Sequence, residues 1–468
     1  KGISRNADVL IEGGVIAAIG ENILVDDSTE IFDASGCIVT YGLADAHVHL
    51  REPGYSEKET IATGTAAAAH GGVTTVLSMP NLNPAPDSVE NIAIEQAMID
   101  EQAVVEVRPY ATITERRIGK QVVDVKALAP LCVGFSDDGS GVQIREIMLE
   151  AMKSIAALDG IIAAHCEDES LLAGGYIHAG DYAALNGHKG IPACSEYMPF
   201  VRDIDLIAQS GCRYHFCHMS ARNSVTALRN AKAMGLPVSG ETGPHYLTMV
   251  DLDIMNEGRF KMNPPIRSEA DRDALIEGIV DGTIEVIATD HAPHSAEEKG
   301  AGLEKSMMGI VGIETAFACL YTYLVKPGIV SMERVIDALA VRPRERFGLP
   351  FADEYCVFDL ESEYDIDPEK FFSLGRATPF AGKKIFGKCL LTVADGRILH
   401  QNRCIYVIHM IVIGSVGNHQ IGTKFADISD KTLSILQTGC QFTVGTVIPH
   451  IAFNPSHLCD FLHFLSAS

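Results

Sequence analysis

The stretch Val286-Ile-Ala-Thr-Asp-His-Ala-Pro-His294 is a short apolar run, partly β-branched, that ends in polar residues. Its first three residues predict a buried strand, and Asp290 follows at the carboxyl end of that strand. In βα barrels the active site lies at the carboxyl ends of the strands. The stretch therefore favours a barrel with Asp290 in the active site. His291 points the other way on a strand, and we interpret it as structural.

A second segment, Ala44-Asp-Ala-His-Val-His49, also follows a β run. Residues two apart on a strand point to the same face, so His47 and His49 can converge on one metal ion. Taken alone, a His-x-His pair is a weak signal, because a surface pair has the same spacing.

Two further segments place a histidine at the end of a predicted buried strand. They are Ala163-Ala-His-Cys-Glu167, with His165, and Tyr214-His-Phe-Cys-His218, with His218. A single histidine in such a place is often a satisfied core residue. Four separate strands that deliver His or Asp to one end are hard to explain by packing, and they indicate a functional site.

The order of predicted elements supports the same fold class. From Ser56 to about Phe347, Ala-rich helical stretches alternate with short β-branched runs, which is typical of βα units. We therefore predict an α/β protein with a metal-dependent (β/α)8 TIM-like barrel over residues 42–347. The strand-rich segments 1–41 and 348–400 predict one small β-sandwich domain formed by both ends of the chain.

Residues 401–468 differ from the rest, with only six charged residues and no helical or strand period. Two interpretations are open: an additional domain of unusual composition, or translation outside the natural reading frame. We treat this segment as an atypical tail without an assigned function. The chain begins with Lys1 instead of Met, so we also expect the natural N-terminus to be missing.

A third kind of motif supplies carboxylates for a metal site. Gly134-Phe-Ser-Asp-Asp-Gly139 holds two adjacent carboxylates, Asp137 and Asp138, although Asp-Asp-Gly alone is more often a turn. One of them joins the four histidines and Asp290. Four imidazoles and two carboxylates suit Zn²⁺ better than Ca²⁺ or Mg²⁺. Six ligands exceed one tetrahedral site and fit two metal ions that share a bridging carboxylate.

Composition and charge exclude several classes of protein. The chain of 468 residues is 47% hydrophobic and 21% charged, which excludes a disordered or fibrous protein. A net charge of −24 without a basic cluster argues against nucleic acid and anionic membranes as partners. The twelve Cys show no zinc-finger spacing and are interpreted as reduced. With no leader peptide at the start, we predict a cytoplasmic location.

Taken together, these motifs resemble the amidohydrolase superfamily, specifically bacterial dihydroorotases of type I. The resemblance runs from about residue 7 to His400. Besides the motifs above, it rests on the following stretches: His47-Val-His-Leu-Arg-Glu-Pro-Gly54, Met79-Pro-Asn81, Thr242-Gly-Pro-His245 and Lys261-Met-Asn-Pro-Pro265.

The resemblance implies the bridging ligand and the carboxylate clamp. Many relatives bridge the metals with a carboxylated Lys in a Gly-Phe-Lys motif. This chain has Gly-Phe-Ser-Asp-Asp-Gly at that place and offers no Lys, so the resemblance implies that an Asp bridges instead. We choose Asp138 as the bridging ligand and keep Asp137 as the alternative. The clamp for the substrate carboxylate corresponds to Arg51, Asn81 and His294, where Arg supplies a two-pronged donor. Asn263 is a further substrate contact or, equally, a turn residue before Pro264.

The resemblance also implies the reaction. In the biosynthetic direction, N-carbamoyl-L-aspartate closes to L-dihydroorotate and water in pyrimidine (UMP) biosynthesis. Zinc, one or two ions per chain, activates water for attack on the ring amide, and Asp290 accepts the proton and passes it to the ring nitrogen. The implied partners are this small-molecule substrate and either a second copy of the chain or aspartate transcarbamoylase.

Two alternatives remain open from the sequence. One is another cyclic amidohydrolase, such as an allantoinase, against which the Lys-free bridging motif and the clamp residues argue. The other is an inactive, metal-free scaffold subunit for aspartate transcarbamoylase. The scaffold alternative predicts lost ligands, whereas this chain retains a complete set.

Overall fold

The computed structural model describes residues 6–25, 29–402, 409–416, 434–437 and 440–443. The chain divides into two compact units, Lys1–Ile421 and Gly422–Ser468. Within its described residues, the second unit contains one antiparallel pair of strands, Ser434–Gln437 with Cys440–Thr443. All features below belong to the first unit.

The described strands are β1 (Asn6–Glu12), β2 (Val15–Gly20), β3 (Glu30–Phe32), β4 (Cys37–Tyr41), β5 (Leu43–Val48), β6 (Val73–Ser78), β7 (Glu106–Pro109), β8 (Ile161–Ala164), β9 (Ile177–His178), β10 (Gly190–Ile191), β11 (Arg213–Phe216), β12 (Val238–Thr242), β13 (Val286–Ile287), β14 (Glu354–Asp359), β15 (Tyr364–Asp365), β16 (Lys384–Ile385), β17 (Lys388–Ala394), β18 (Arg397–Gln401) and β19 (His409–Val416).

The described α-helices are α1 (Ile61–His70), α2 (Val89–Gln102), α3 (Val125–Leu128), α4 (Arg145–Ala156), α5 (Asp181–Asn186), α6 (Cys194–Ser210), α7 (Arg222–Ala233), α8 (Pro244–Thr248), α9 (Glu269–Asp281), α10 (Ala296–Lys299), α11 (Gly302–Lys305), α12 (Ala316–Leu320), α13 (Met332–Ile336) and α14 (Arg342–Phe347). Wider π-helical turns follow α12 at Tyr321–Val325 and α13 at Asp337–Val341.

Eight parallel segments close into a barrel. Strands β5, β6 and β7 form one run, and β8, β11, β12 and β13 form another. Phe135 joins the two runs, since it bridges Ala111 after β7 and Ile162 in β8. The ring closes where Val48 bridges His291 and the amide of His49 donates to the carbonyl of His291 at 2.9 Å. The predicted TIM-like barrel is therefore confirmed.

The barrel interior is packed with apolar side chains, so the fold has a core and no pore. The buried residues that form this cluster include Ala46, Leu77, Met79, Tyr110, Ile161, Ala163, Cys217, Val286 and Ala288. Helices such as α1, α2, α4, α6, α7 and α9 cross between consecutive strands. Local signals set their ends: α9 begins at the Ser268 capping box and ends at Gly282, whose φ of 80° suits only glycine well.

Strands from both ends of the chain share a second sheet. Its order is β18-β17-β14-β4-β19-β1-β2, with β3 paired to β19. Within the strand-rich segment 1–41, β1 and β2 form an antiparallel hairpin. Residues 409–416, for which the sequence shows no strand period, form β19, which pairs with β1 on one side and with β3 and β4 on the other. The other residues of the tail 401–468, beyond 402 and these strands, lie outside the described residues.

None of the helices in the described part of the chain has the length and apolar character that a membrane crossing requires.

Candidate metal centre

Six candidate ligands meet at the carboxyl ends of the barrel strands. His47 lies in β5, His49 directly after it, and His165 directly after β8. His218 and Asp290 follow β11 and β13, and both adopt positive φ values, 35° and 48°. Such a backbone costs on the order of 1–3 kcal/mol per residue and persists where the surrounding structure imposes it. The loops are therefore held in a shape that turns these side chains inward.

One group of ligand atoms consists of His47, His49 and Asp290. The Oδ1 atom of Asp290 lies 3.1 Å from Nε2 of His49 and 3.6 Å from Nε2 of His47. Asp138 closes the group, with its Oδ2 atom 3.6 Å from Nε2 of His49.

A second group lies on the other side of Asp138. Its Oδ1 atom is 3.5 Å from Nδ1 of His165 and 3.4 Å from Nε2 of His218, and these two nitrogens are 2.9 Å apart. Oδ1 of Asp138 also lies 3.4 Å from Nε2 of His47, whereas Oδ2 faces His49, so this carboxylate contacts the histidines of both groups, as a bridging ligand would.

The spacing of these atoms fits bound metal ions. Around a tetrahedral zinc with bonds of about 2.0–2.1 Å, neighbouring ligand atoms lie about 3.3 Å apart. The observed separations of 2.9–3.6 Å scatter around that value. The Nε2 atom of His47 is buried and lacks a hydrogen-bond partner among the described residues. A buried, unpartnered nitrogen that faces two carboxylates is well placed to bind a cation.

The charges around His47 support the same conclusion. Burial lowers the pKa of His47, but the carboxylates of Asp138 and Asp290 outweigh it and raise the pKa above its ordinary value. The field that favours a proton on this nitrogen also favours a metal cation in its place.

Asp137 and Asp138 have different surroundings. The carboxylate of Asp137 accepts hydrogen bonds from the backbone amides of Ile113 (2.8 Å) and Thr114 (3.1 Å) and from the hydroxyl of Thr114. It is therefore fully engaged away from the histidines. Of the two alternatives, only Asp138 lies in the ligand cluster.

Glu241, which the sequence motifs do not single out, orients His47. The Nδ1–H group of His47 donates to its carboxylate at 2.8 Å, and Nε2 of His215 lies 3.0 Å from the other oxygen. Burial raises the pKa of Glu241, but hydrogen bonds from His215 and His47 outweigh it and lower the pKa. An ionised carboxylate behind a histidine leaves the far nitrogen free to bind metal.

We expect Glu241→Gln to weaken metal binding about 10- to 100-fold, because the carboxylate that fixes the His47 ring is lost. Titration with a chelator, followed by elemental analysis, measures the change. Glu277→Gln, an exposed site on α9, is the matched control. Equal metal retention in both variants would contradict this role of Glu241.

The predicted carboxylate clamp lies beside the ligand cluster. Arg51 donates through Nε to the carbonyl of Pro293 at 3.1 Å, and its Nη2 lies 3.3 Å from Nε2 of His294. Nδ1 of His294 lies 2.9 Å from Glu298, which pairs with Lys58 at 2.8 Å. Burial, together with the charge of Arg51, lowers the pKa of His294 to about 4.

The two predicted asparagines present open acceptors. Asn81 donates to the backbone carbonyl of Asp138 at 2.9 Å, and Asn263 donates to Glu167 at 3.0 Å. The Oδ1 atoms of both are buried and without a hydrogen-bond partner among the described residues. Each can therefore accept a hydrogen bond from a ligand N–H group.

A single cavity of about 360 Å³ connects these groups. Every predicted site residue except His47 lines it, and Nε2 of His47 lies 3.4 Å from Oδ1 of Asp138, which does line it. Residues that were not predicted as site residues complete the lining: Tyr55, Lys58, Arg117, Gly139, Ala292, Met307, Met308 and Gly309. Arg117 donates to the carbonyl of Asp138. The cavity thus combines possible metal ligands with several cationic side chains.

Comparison with known proteins identifies close sequence relatives. The family model described as Dihydro-orotase-like matches residues 36–224. The dihydroorotase of Shouchella clausii is 46% identical over 407 residues, covering 85% of this chain and 95% of that protein. The dihydroorotase of Listeria innocua is 48% identical over 405 residues, with the same coverage.

Solved structures with the same fold are more distant in sequence. The L-hydantoinase of Arthrobacter aurescens superposes with a TM-score of 0.76 at 24% identity, over 87% of this chain and 96% of that one. The dihydropyrimidinase of Brevibacillus agri gives a TM-score of 0.71 at 21% identity, over 85% and 92%. At this identity the match shows the fold alone.

Proposed function

Because the chain belongs to the dihydroorotase family of metal-dependent cyclic-amide hydrolases, we propose that it interconverts N-carbamoyl-L-aspartate and L-dihydroorotate plus water in the cavity described above. The observation that carries this proposal is the convergence of six side chains that can ligate a metal, beside the guanidinium of Arg51. The absence of a bridging Lys argues against another cyclic amidohydrolase such as an allantoinase. The complete set of candidate ligands argues against an inactive scaffold subunit.

We propose zinc as the metal, two ions per chain, because nitrogen and carboxylate ligands dominate the cluster. His47, His49 and Asp290 would hold one ion, His165 and His218 the other, and Asp138 would bridge them. When bound, the metal lowers the pKa of a water molecule and polarises the ring carbonyl. Elemental analysis of the purified enzyme tests both the identity and the number of ions.

Asp290 is proposed as the general base and acid. Its Oδ1 atom is in the ligand cluster and its side chain lines the cavity, so it lies within reach of both water and substrate. It accepts the proton of the attacking water and delivers it to the ring nitrogen as the amide bond breaks. By microscopic reversibility, the same carboxylate serves ring closure.

Arg51, Asn81, Asn263 and His294 are proposed to bind the substrate. The guanidinium of Arg51 pairs with the substrate carboxylate, as a planar donor pair suits a planar acceptor pair. The unpartnered oxygens of Asn81 and Asn263 accept from substrate N–H groups. These contacts orient the ring so that its amide carbonyl faces the metal ligands.

We expect Arg51→Gln to raise the KM for L-dihydroorotate about 10- to 100-fold, because a charge-assisted hydrogen bond is worth about 1.5–3 kcal/mol. Steady-state kinetics measures the effect on KM and kcat separately. Arg272→Gln, at a half-buried surface position on α9, is the control. An unchanged KM would remove Arg51 from the clamp.

Further proposals concern organisation and location. We propose that residues 42–347 act as the catalytic barrel and that 1–41 and 348–400 form the small β domain. A homodimer and a complex with aspartate transcarbamoylase are both proposed assemblies, which size-exclusion chromatography with and without the transcarbamoylase distinguishes. Cysteines with described side chains are free thiols, which supports the proposed cytoplasmic location.

A further inference from the structure

Lys299, at the end of α10, is a buried cation with an unusual set of partners. The residue is 8% exposed, and its Nζ atom lies 2.9 Å from the carbonyl oxygen of Lys261, 2.7 Å from that of Met307 and 2.6 Å from that of Gly309. Among the described residues, no carboxylate lies within ion-pair distance of it. Three acceptors therefore use the three N–H groups of the ammonium.

Two of these carbonyls belong to the cavity wall. Met307, Met308 and Gly309, which we call the 307–309 wall, line the same cavity as the candidate metal ligands. Between the two carbonyls held by Lys299, the carbonyl of Met308 accepts from Nε2 of His294 at 2.8 Å. Lys299 thus binds the carbonyls of Met307 and Gly309, and His294 binds the carbonyl of Met308 between them.

The wall is also fixed through its amides. The amide of Met307 donates to the carbonyl of Glu298 at 3.0 Å, and that of Gly309 donates to Lys261 at 3.1 Å. Gly309 has a φ of 137°, and a Cβ atom there would lie 2.5 Å from the carbonyl oxygen of Ala292. A side chain at position 309 would therefore strain the backbone and displace the wall from Ala292.

Packing alone does not account for a lysine at position 299. A buried ammonium is costly to the fold, and burial together with the charge of Lys261 lowers the pKa of Lys299 to about 7. A Met side chain of similar length would fill the space without that cost. A Met side chain has no N–H group, so it cannot bind the two carbonyls of the wall or the carbonyl of Lys261. Lys261 lies two residues before Asn263.

We propose that Lys299 is a positioning residue, which holds the 307–309 wall and the Lys261–Asn263 segment at the distance from the metal ligands that the substrate requires. The proposal rests on the proposed function of the cavity. Two neighbouring residues of α10 would then have different roles: Glu298 contacts His294, and Lys299 holds the backbone of the wall and of the Lys261–Asn263 segment.

The test compares Lys299→Met, which has no donor, and Lys299→Gln, which keeps two N–H groups, with Lys305→Met as an exposed control on the neighbouring helix. We expect KM for L-dihydroorotate to rise on the order of tenfold in Lys299→Met and less in Lys299→Gln, with kcat changed less than about threefold and metal content unchanged. Lys305→Met should match the parent enzyme.

Amide hydrogen exchange gives a second readout that needs no turnover. We expect the peptide that contains Met307 and Gly309 to exchange at least about tenfold faster in Lys299→Met, with the barrel strands unaffected. Unchanged exchange and unchanged KM would overturn the proposal, and so would a uniform increase in exchange with loss of metal, which indicates a purely structural role. If Lys299→Met does not fold, Lys299→Gln decides by the same criteria. If the parent enzyme has no turnover, the proposed function fails, while the exchange data still decide whether Lys299 holds the wall.

Discussion

Asp290→Asn is expected to lower kcat for L-dihydroorotate by about 10²- to 10⁴-fold, the usual contribution of a general acid and base. Asn has the same size and keeps one oxygen near His49, but it cannot accept the proton of the attacking water. Steady-state hydrolysis of L-dihydroorotate, with metal content measured on the same sample, tests this expectation.

The control for this prediction is Asp205→Asn, an exposed carboxylate on α6. It should leave kcat unchanged. If Asp290→Asn kept its metal and turned over at the parent rate, the proton would be carried by another group, and Asp290 would be at most a metal ligand.

Asp138→Ala is expected to reduce the metal content from the proposed two ions per chain to one or none and to lower turnover at least about 100-fold. The physical reason is that the carboxylate of Asp138 lies 3.4–3.6 Å from a nitrogen of each of the four histidines and so contacts both groups. Without this charge, each group loses a ligand and the repulsion between two cations is no longer screened.

The adjacent carboxylate offers a sharp comparison. Asp137→Asn should lower thermal stability through weaker bonds to Ile113 and Thr114, with metal content retained.

One ion per chain and little effect of Asp138→Ala would mean that the Asp-Asp motif is a turn. No metal and no turnover in the parent protein would favour the scaffold alternative.

The fold and the ligand cluster follow from sequence because both depend on local patterns. Alternating helical and β-branched runs predict βα units, and the ends of such strands converge by construction. His47, His49, His165, His218 and Asp290 each stand at the end of such a run. The choice between Asp137 and Asp138 could not be made from the residues alone, since neighbouring residues share one motif and differ only in the direction of their side chains.

Glu241, Arg117 and Lys299 could not be predicted, because their roles depend on contacts between distant segments. Glu241 is 194 residues from His47, and Lys299 binds carbonyls that carry no side-chain signal. Glu241 lies in a strand, Val238–Thr242, whose residues are all buried, and an ionised group there needs partners; the sequence of that strand, Val-Ser-Gly-Glu-Thr, is too polar to predict this burial. The strand at His409–Val416 was missed because its apolar run lacks the alternation that marks exposed strands.

The seam that closes the barrel has a consequence for biosynthesis of the chain. The amide of Thr289 bonds to Asp45 across 244 residues, and the carbonyl of His291 bonds to the amide of His49. On the ribosome, the first two histidines emerge long before their partner Asp290, so no shorter nascent fragment can hold a complete set of ligands. Such non-local pairing folds slowly. With the proposed ligand set, catalysis therefore requires nearly the whole barrel, and we expect prematurely terminated chains to be inactive.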